Sequence, residues 1–153
     1  MAEGVRVRIQ REPGAADLPL PRYATAGAAG LDLHAAVDGE LRLGPGERAL
    51  VPTGVRIALP DGYEAQVRPR SGLALRHGLG MVNAPGTIDS DYGGVVGAVL
   101  INWGRDPVTI RRGDRIAQLV VAPVARVTWE EAPPGGLPAS ARGENGFGST
   151  GQG

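Results

Sequence analysis

The chain contains no cysteine and no lysine. The first absence excludes disulfides, a thiolate nucleophile and a zinc site built on sulfur. The second excludes Schiff-base chemistry and the lysine on which a phosphate-binding P-loop depends. Aromatics are scarce, with one phenylalanine, Phe147. The two histidines, His34 and His77, lie far apart in sequence, so a histidine metal site within one chain is not expected. Basic and acidic side chains balance at 16 each, which leaves no basic excess for nucleic acid. No apolar run is long enough to cross a membrane. Arg6, Arg8 and Arg11 interrupt any apolar signal core near the start. A cytoplasmic protein with neither nucleic acid nor membrane as partner is expected.

At 153 residues the chain has the size of one domain with a real core. Its 25 Gly and 13 Pro raise the question of low complexity, but they punctuate short patterned runs. Val5, Val7 and Ile9 alternate with polar residues, as do Val55, Ile57 and Leu59, and Tyr63, Ala65 and Val67. Period two means strands with one wet face. Turn signals separate them at 44–46, 52–54, 60–62 and 112–114. Two runs, 95–101 and 116–121, are apolar without alternation and read as strands buried on both faces, in a sandwich core or against another subunit. Residues 71–77 are the only stretch suited to a short helix, with Ser71 as its N-cap. The pattern predicts an all-β, jelly-roll-like sandwich or barrel with one short helix. The β domain is expected over residues 1–131. Residues 132–153, rich in Pro, Gly and Ser, are expected to form a flexible glycine-rich C-terminal tail or lid.

Residues 142–151 read RGENGFGSTG. The spacing of Gly143, Gly148 and Thr150 approaches that of a P-loop, but Ser149 stands at the lysine position. Only two residues follow Gly151, so no helix can present its N-terminus to an anion. What remains is an anion-friendly segment with one arginine and one ring. It can close over a phosphorylated, ring-bearing ligand but cannot form the floor of its site.

Four further segments carry polar groups that a core does not need. Asp32 sits between two leucines in 29–35. Arg70 and Ser71 precede the short helix, where free N–H groups, a hydroxyl and a guanidinium suit a phosphate. Residues 83–94 read as a hairpin with Asp89 and Asp91 near its return; on a regular strand both carboxylates would share a face, so spacing does not separate them. The stretch 112–119 opens a buried strand with charges and places Gln118 in an apolar run. Its Arg-Gly-Asp triplet matches an adhesion signal that recurs by chance. Each segment alone has a plain structural explanation in a turn or a cap. Any metal here would be a hard cation such as Mg2+ held by carboxylates, water and ligand phosphates.

In order and content, these segments and the tail resemble the five motifs of the trimeric deoxyuridine triphosphatase (dUTPase) family over residues 26–151. The chain departs from the family at Asn145, where Gly is usual. The resemblance implies hydrolysis of dUTP to dUMP and pyrophosphate by water attack on the α-phosphorus with Mg2+, which keeps uracil out of DNA and supplies dUMP for thymidylate synthesis. It implies Asp89 as general base. Asn83, with backbone groups of Gly86, Thr87 and Ile88, would read uracil, and Tyr92 would exclude a 2′-hydroxyl. Arg70, Ser71, Gly72 and Gln118 would meet the triphosphate, and Asp32 would hold the metal through water. From the tail, Phe147 would stack on the base while Arg142, Gly148, Ser149 and Thr150 meet the phosphates. It further implies a homotrimer with shared active sites. A dCTP deaminase on a similar fold, a non-catalytic nucleotide-binding protein and a β-sandwich adhesion domain are the rival readings.

Overall fold

The computed structural model describes residues 4–151. Ten strands and one helix follow one another along the chain. They are β1 (Arg8–Arg11), β2 (Leu31–His34), β3 (Glu40–Leu43), β4 (Arg48–Ala58), β5 (Tyr63–Arg68), α1 (Ser71–His77), β6 (Leu79–Met81), β7 (Gly86–Ile88), β8 (Val95–Asn102), β9 (Val108–Arg111) and β10 (Arg115–Pro123). All recorded pairings are antiparallel. One four-stranded sheet runs β1-β4-β8-β6, a second runs β2-β10-β5-β7, and β3 pairs with β9. This is the jelly-roll-like β architecture that the alternation and turn spacing predict.

The core lies between the sheets. Leu33, Ala65, Val67 and Leu119 enter it from the second sheet, and Val51, Val96, Ala98 and Leu100 from the first. These residues recur at period two because successive side chains on a strand point to opposite faces. Asn102, fully buried at the end of β8, donates to the carbonyls of Leu43 and Asp106 and accepts from Gly104 N–H. One amide thereby ties the end of β3 to the β8–β9 loop without leaving a polar atom unpaired.

Four expectations need correction. The Pro52-Thr53-Gly54 signal is not a turn between strands. β4 runs through it as a bulge, with a register shift between Pro52 and Arg56. Gly54 takes φ 71° there, and a methyl on it would come within 2.7 Å of Ala15 Cβ. Secondly, α1 is capped at the backbone level by Arg70, with no side-chain cap bond, so Ser71 is the first helical residue rather than the N-cap. Thirdly, β8 is not buried on both faces. Fully buried and half-buried positions alternate along it, and β10 is buried on one side only in part. Its second apolar face is left half-covered, beside an exposed Leu50. Finally, β1 is exposed throughout, Ile9 included, because it pairs at the edge of its sheet and only Val7 packs on the core.

Candidate active site

The second sheet carries the polar groups at its two edges. At one edge, β2 presents Asp32, in register with Gln118 of β10, which in turn faces Arg68 of β5. The Asp32 carboxylate is largely buried and meets two guanidinium groups. Arg70 Nε lies 3.5 Å from one oxygen and Arg115 Nη1 3.3 Å from the other. Arg70 Nη1 also donates to the Arg115 carbonyl at 3.1 Å. Gln118 Nε2 donates to the Pro69 carbonyl at 3.0 Å, which ties the chain entering α1 to β10. Thus Asp32, Arg70 and Gln118, predicted from three separate segments, meet in one corner, with Ser71 and Gly72 opening the helix beside it. The corner borders a cavity of about 560 Å3 lined by Arg22, Tyr23, Asp32, His34 and Arg115.

Arg115 and His34 were not singled out from the sequence as site residues. Arg115 reaches Asp32 because the register of β10 shifts between Arg115 and Ala117, and a bulge re-aims the side chain that regular alternation would place elsewhere. The sequence does hold a clue: an arginine just inside an apolar strand, three residues before Gln118. His34 shares the outward face of β2 with Asp32, and its Nδ1 is buried without a partner. Burial pulls its pKa below the ordinary value, against the opposing pull of the Asp32 charge.

At the opposite edge, β7 pairs with β5, setting Gly86 against Val67 and Ile88 against Ala65. Asn83, Gly86, Thr87, Ile88 and Tyr92 line one cavity of about 290 Å3, floored by Val67 and Val96. That volume sits at the small end of ligand sites. The chain does not continue as a strand beyond Ile88. It turns at once, with Tyr92 N–H donating to the Asp89 carbonyl at 3.1 Å. Asp89 and Asp91 therefore stand on the return of the hairpin and not on a regular strand. Both are exposed and border a second depression beside Thr87, with Tyr63 and Arg126 on its far wall. The Tyr92 ring folds back over Gly94, and its hydroxyl donates to the Val95 carbonyl at 3.0 Å. A methyl on Gly94 would overlap the Tyr92 ring and hydroxyl.

The two edges are separated by β10 and β5, roughly 14 Å at ordinary strand spacing. One chain therefore does not bring Asp89 against the Asp32 corner. Nor does it bring the tail to either edge. Arg142, Phe147, Gly148, Ser149 and Thr150 are exposed, and the hydrogen bonds of residues 133–151 link tail residues to one another. Arg142 Nε donates to the Asn145 carbonyl at 2.7 Å. Among the described residues the only non-glycine at positive φ is Phe147, at 50°. Asn145 thus stands where the family usually has Gly without taking a left-handed conformation.

The Arg-Gly-Asp triplet is committed to structure. Arg112 pairs with Asp17 and donates to the Gly14 and Val37 carbonyls, and Asp114 accepts from Arg111 N–H. No cluster of three His, Cys, Asp or Glu able to hold a metal occurs among the described residues, and no helix is long and apolar enough to cross a membrane.

Comparison with known proteins identifies this arrangement. The dUTPase family model matches residues 16–151. The chain is 58% identical over 153 residues to the deoxyuridine 5'-triphosphate nucleotidohydrolase of Methylocella silvestris, covering 99% of this chain and 94% of that protein. It is 64% identical over 135 residues to the protein of that name from an Anaeromyxobacter species, covering 88% and 89% of the two chains. The fold matches the dUTPase of Staphylococcus bacteriophage 80alpha, solved as a mutant with dUpNHpp, with a TM-score of 0.84 at 24% identity, over 96% of this chain and 99% of that one. It also matches a mutant dUTPase from phage phi11 of S. aureus, described with a structural Mg(II) ion, with a TM-score of 0.74 at 22% identity, over 83% of this chain and 96% of that one. Motif order, sheet topology and sequence identity agree along nearly the whole length, and the chain belongs to the dUTPase family.

Proposed function

We propose the following division of labour for the hydrolysis of dUTP to dUMP and pyrophosphate, the activity of this family. Asp89 accepts a proton from a water molecule. The water oxygen bonds to the α-phosphorus, and the bond from that phosphorus to the bridging oxygen of the β-phosphate breaks. An exposed carboxylate on a tight turn can meet such a water in line with the leaving group. Asn83 and the backbone of Gly86, Thr87 and Ile88 offer donors and acceptors to the uracil edge. A base that mismatches buried polar groups is rejected more strongly than one that is merely too large. Tyr92 closes the sugar end of the same cavity and leaves no space for a 2′-hydroxyl.

Arg70, Ser71, Gly72 and Gln118 receive the triphosphate. Arg115 and Arg70 together hold the Asp32 carboxylate in place from both sides. A lone carboxylate between guanidiniums is no metal cage, but it suits Mg2+ that arrives with substrate phosphates and keeps most of its waters. Asp32 would hold it through water, and the bound cation would neutralise charge on the departing pyrophosphate. The tail, residues 132–153, acts as a lid: Phe147 stacks on uracil while Arg142, Gly148, Ser149 and Thr150 meet phosphate oxygens. Ordering it costs roughly 1–2 kcal/mol per residue fixed, so nucleotide and lid order together. Gln152 and Gly153 of that lid lie outside the described residues.

The working unit is a homotrimer that shares its sites, in the cytoplasm. The placement of Asp32 and Asp89 on opposite edges of one sheet supports sharing, as do the fully exposed Phe147 and the half-covered outer face of β8.

The observation that carries this reading is the hairpin cavity of about 290 Å3, where Asn83, the β7 backbone and Tyr92 converge. Pyrophosphate release from dUTP, measured beside dTTP, UTP and dCTP, tests it. Release from dUTP alone is expected. The Asp89→Asn variant should keep dUTP binding and lose turnover by about 10²-fold or more; an active variant would remove Asp89 from its role.

A further inference from the structure

The turn that carries Asp89 and Tyr92 ends in Gly93 and Gly94, two residues with little conformational restraint of their own. Inside the turn, the Tyr92 N–H bond to Asp89 and the Tyr92 hydroxyl bond to Val95 supply local order. Among the described residues, a single side chain from outside bonds to the backbone of residues 89–94. It is Arg56, whose Nη1 donates to the Gly93 carbonyl at 2.9 Å. The guanidinium is itself held from behind. Nε lies 2.5 Å from Glu12 Oε1, and Nη2 donates to Oε2 at 3.3 Å. Glu12 is fixed in turn by its N–H bond to the Gly54 carbonyl at 2.8 Å.

Backbone geometry explains why Arg56 reaches that carbonyl. The β4 bulge shifts register between Pro52 and Arg56 and brings Arg56 opposite Val95, the first residue after the turn. A planar fork can bridge a carboxylate and a carbonyl at once, which a single ammonium group cannot do with the same geometry. The pairing raises the Arg56 pKa and lowers that of Glu12, so the bridge stays charged across the neutral range.

We propose that Arg56 is a positioning residue for sugar selection and for the base. By clamping the Gly93 carbonyl to the Glu12 carboxylate, it fixes the turn on which Tyr92 and Asp89 stand. This inference rests on the roles given above to those two residues. With the clamp gone, the Tyr92 wall gives way to a 2′-hydroxyl, and Asp89 samples positions out of line with the phosphorus.

The test uses the full-length protein and its Arg56→Ala, Arg56→Gln and Arg56→Lys variants. Steady-state kcat and KM are measured for dUTP and for UTP, beside the melting temperature of each variant. The Arg56 side chain is 42% exposed, so its loss should leave folding intact. The Ala and Gln variants are expected to lose ~10-fold in the ratio of dUTP to UTP kcat/KM at an unchanged melting temperature, with Lys recovering part of the loss. A ratio unchanged within ~2-fold would overturn the proposal. So would an equal loss on both substrates that tracks a fall in melting temperature, since that marks a merely structural role. Asp89→Asn in the same assay separates the two levels. If it stays active, the underlying site assignment fails; if it is inactive while Arg56→Ala keeps its selectivity, only the clamp fails.

Discussion

Gly94 shows how a residue with no side chain shapes the candidate site. The Tyr92 ring occupies the space that a β-carbon at position 94 would need, and its hydroxyl is bonded one residue further on, to Val95. Replacing Gly94 with Ala should push the ring off this seat and reopen the sugar end of the cavity. The expected result is a ~10-fold weaker preference for dUTP over UTP, read from competing kcat/KM values. A preference left intact would mean that the ring position is not what excludes the 2′-hydroxyl. At this scale the sequence was informative where function demands unusual chemistry. Asp32 puts a carboxylate between leucines and Gln118 breaks an apolar run, and both belong to the same corner. Arg115 was missed because it looks like an ordinary strand-opening charge. Only the register shift after it turns the side chain onto Asp32.

Elements were legible wherever their period was uninterrupted. β5 alternates in sequence and in burial alike, and the turns at 44–46, 60–62 and 112–114 close with the expected backbone bonds. Pro52-Thr53-Gly54 misled because proline and glycine serve bulges as readily as turns. What distinguishes the two is pairing on both sides, with Val51 facing Ala98 before the irregularity and Arg56 facing Val95 after it. Here the bulge also lets Thr53 Oγ1 donate to the Val96 carbonyl at 2.6 Å inside the core. Gly54→Ala combines a left-handed backbone with a 2.7 Å approach to Ala15 Cβ, closer than packing allows, and a tight 3.1 Å approach to Ala36 Cβ. A destabilisation of ~2 kcal/mol is expected, measured by chemical denaturation with an unchanged m-value. A variant as stable as the parent would show that β4 can relax around the extra methyl.

What covers the outer face of β8 is the part that sequence left least determined. The apolar character of β8 was plain, but the sequence left open whether a sandwich core or another subunit covers its second face, and the chain alone does not. One face packs on the core, and the other is left half-covered beside an exposed Leu50. Periodicity reports that a face is apolar and says nothing of which molecule covers it. If protomers share sites, two inactive variants should repair one another. Asp89→Asn mixed with a chain truncated after residue 140, then unfolded and refolded together, should regain a measurable fraction of the parental rate. Each variant refolded alone should not. Recovery no greater than the sum of the two separate preparations would show that every chain completes its own site.

The distance between Asp32 and Asp89 across the second sheet has a genetic corollary. If subunits share their sites as proposed, a lesion in either half would not stay private to the polypeptide that bears it. In a cell expressing normal and defective copies together, one faulty subunit could silence centres built partly from sound ones. Under the same sharing, two defective alleles, damaged at opposite edges, would restore growth that neither supports alone.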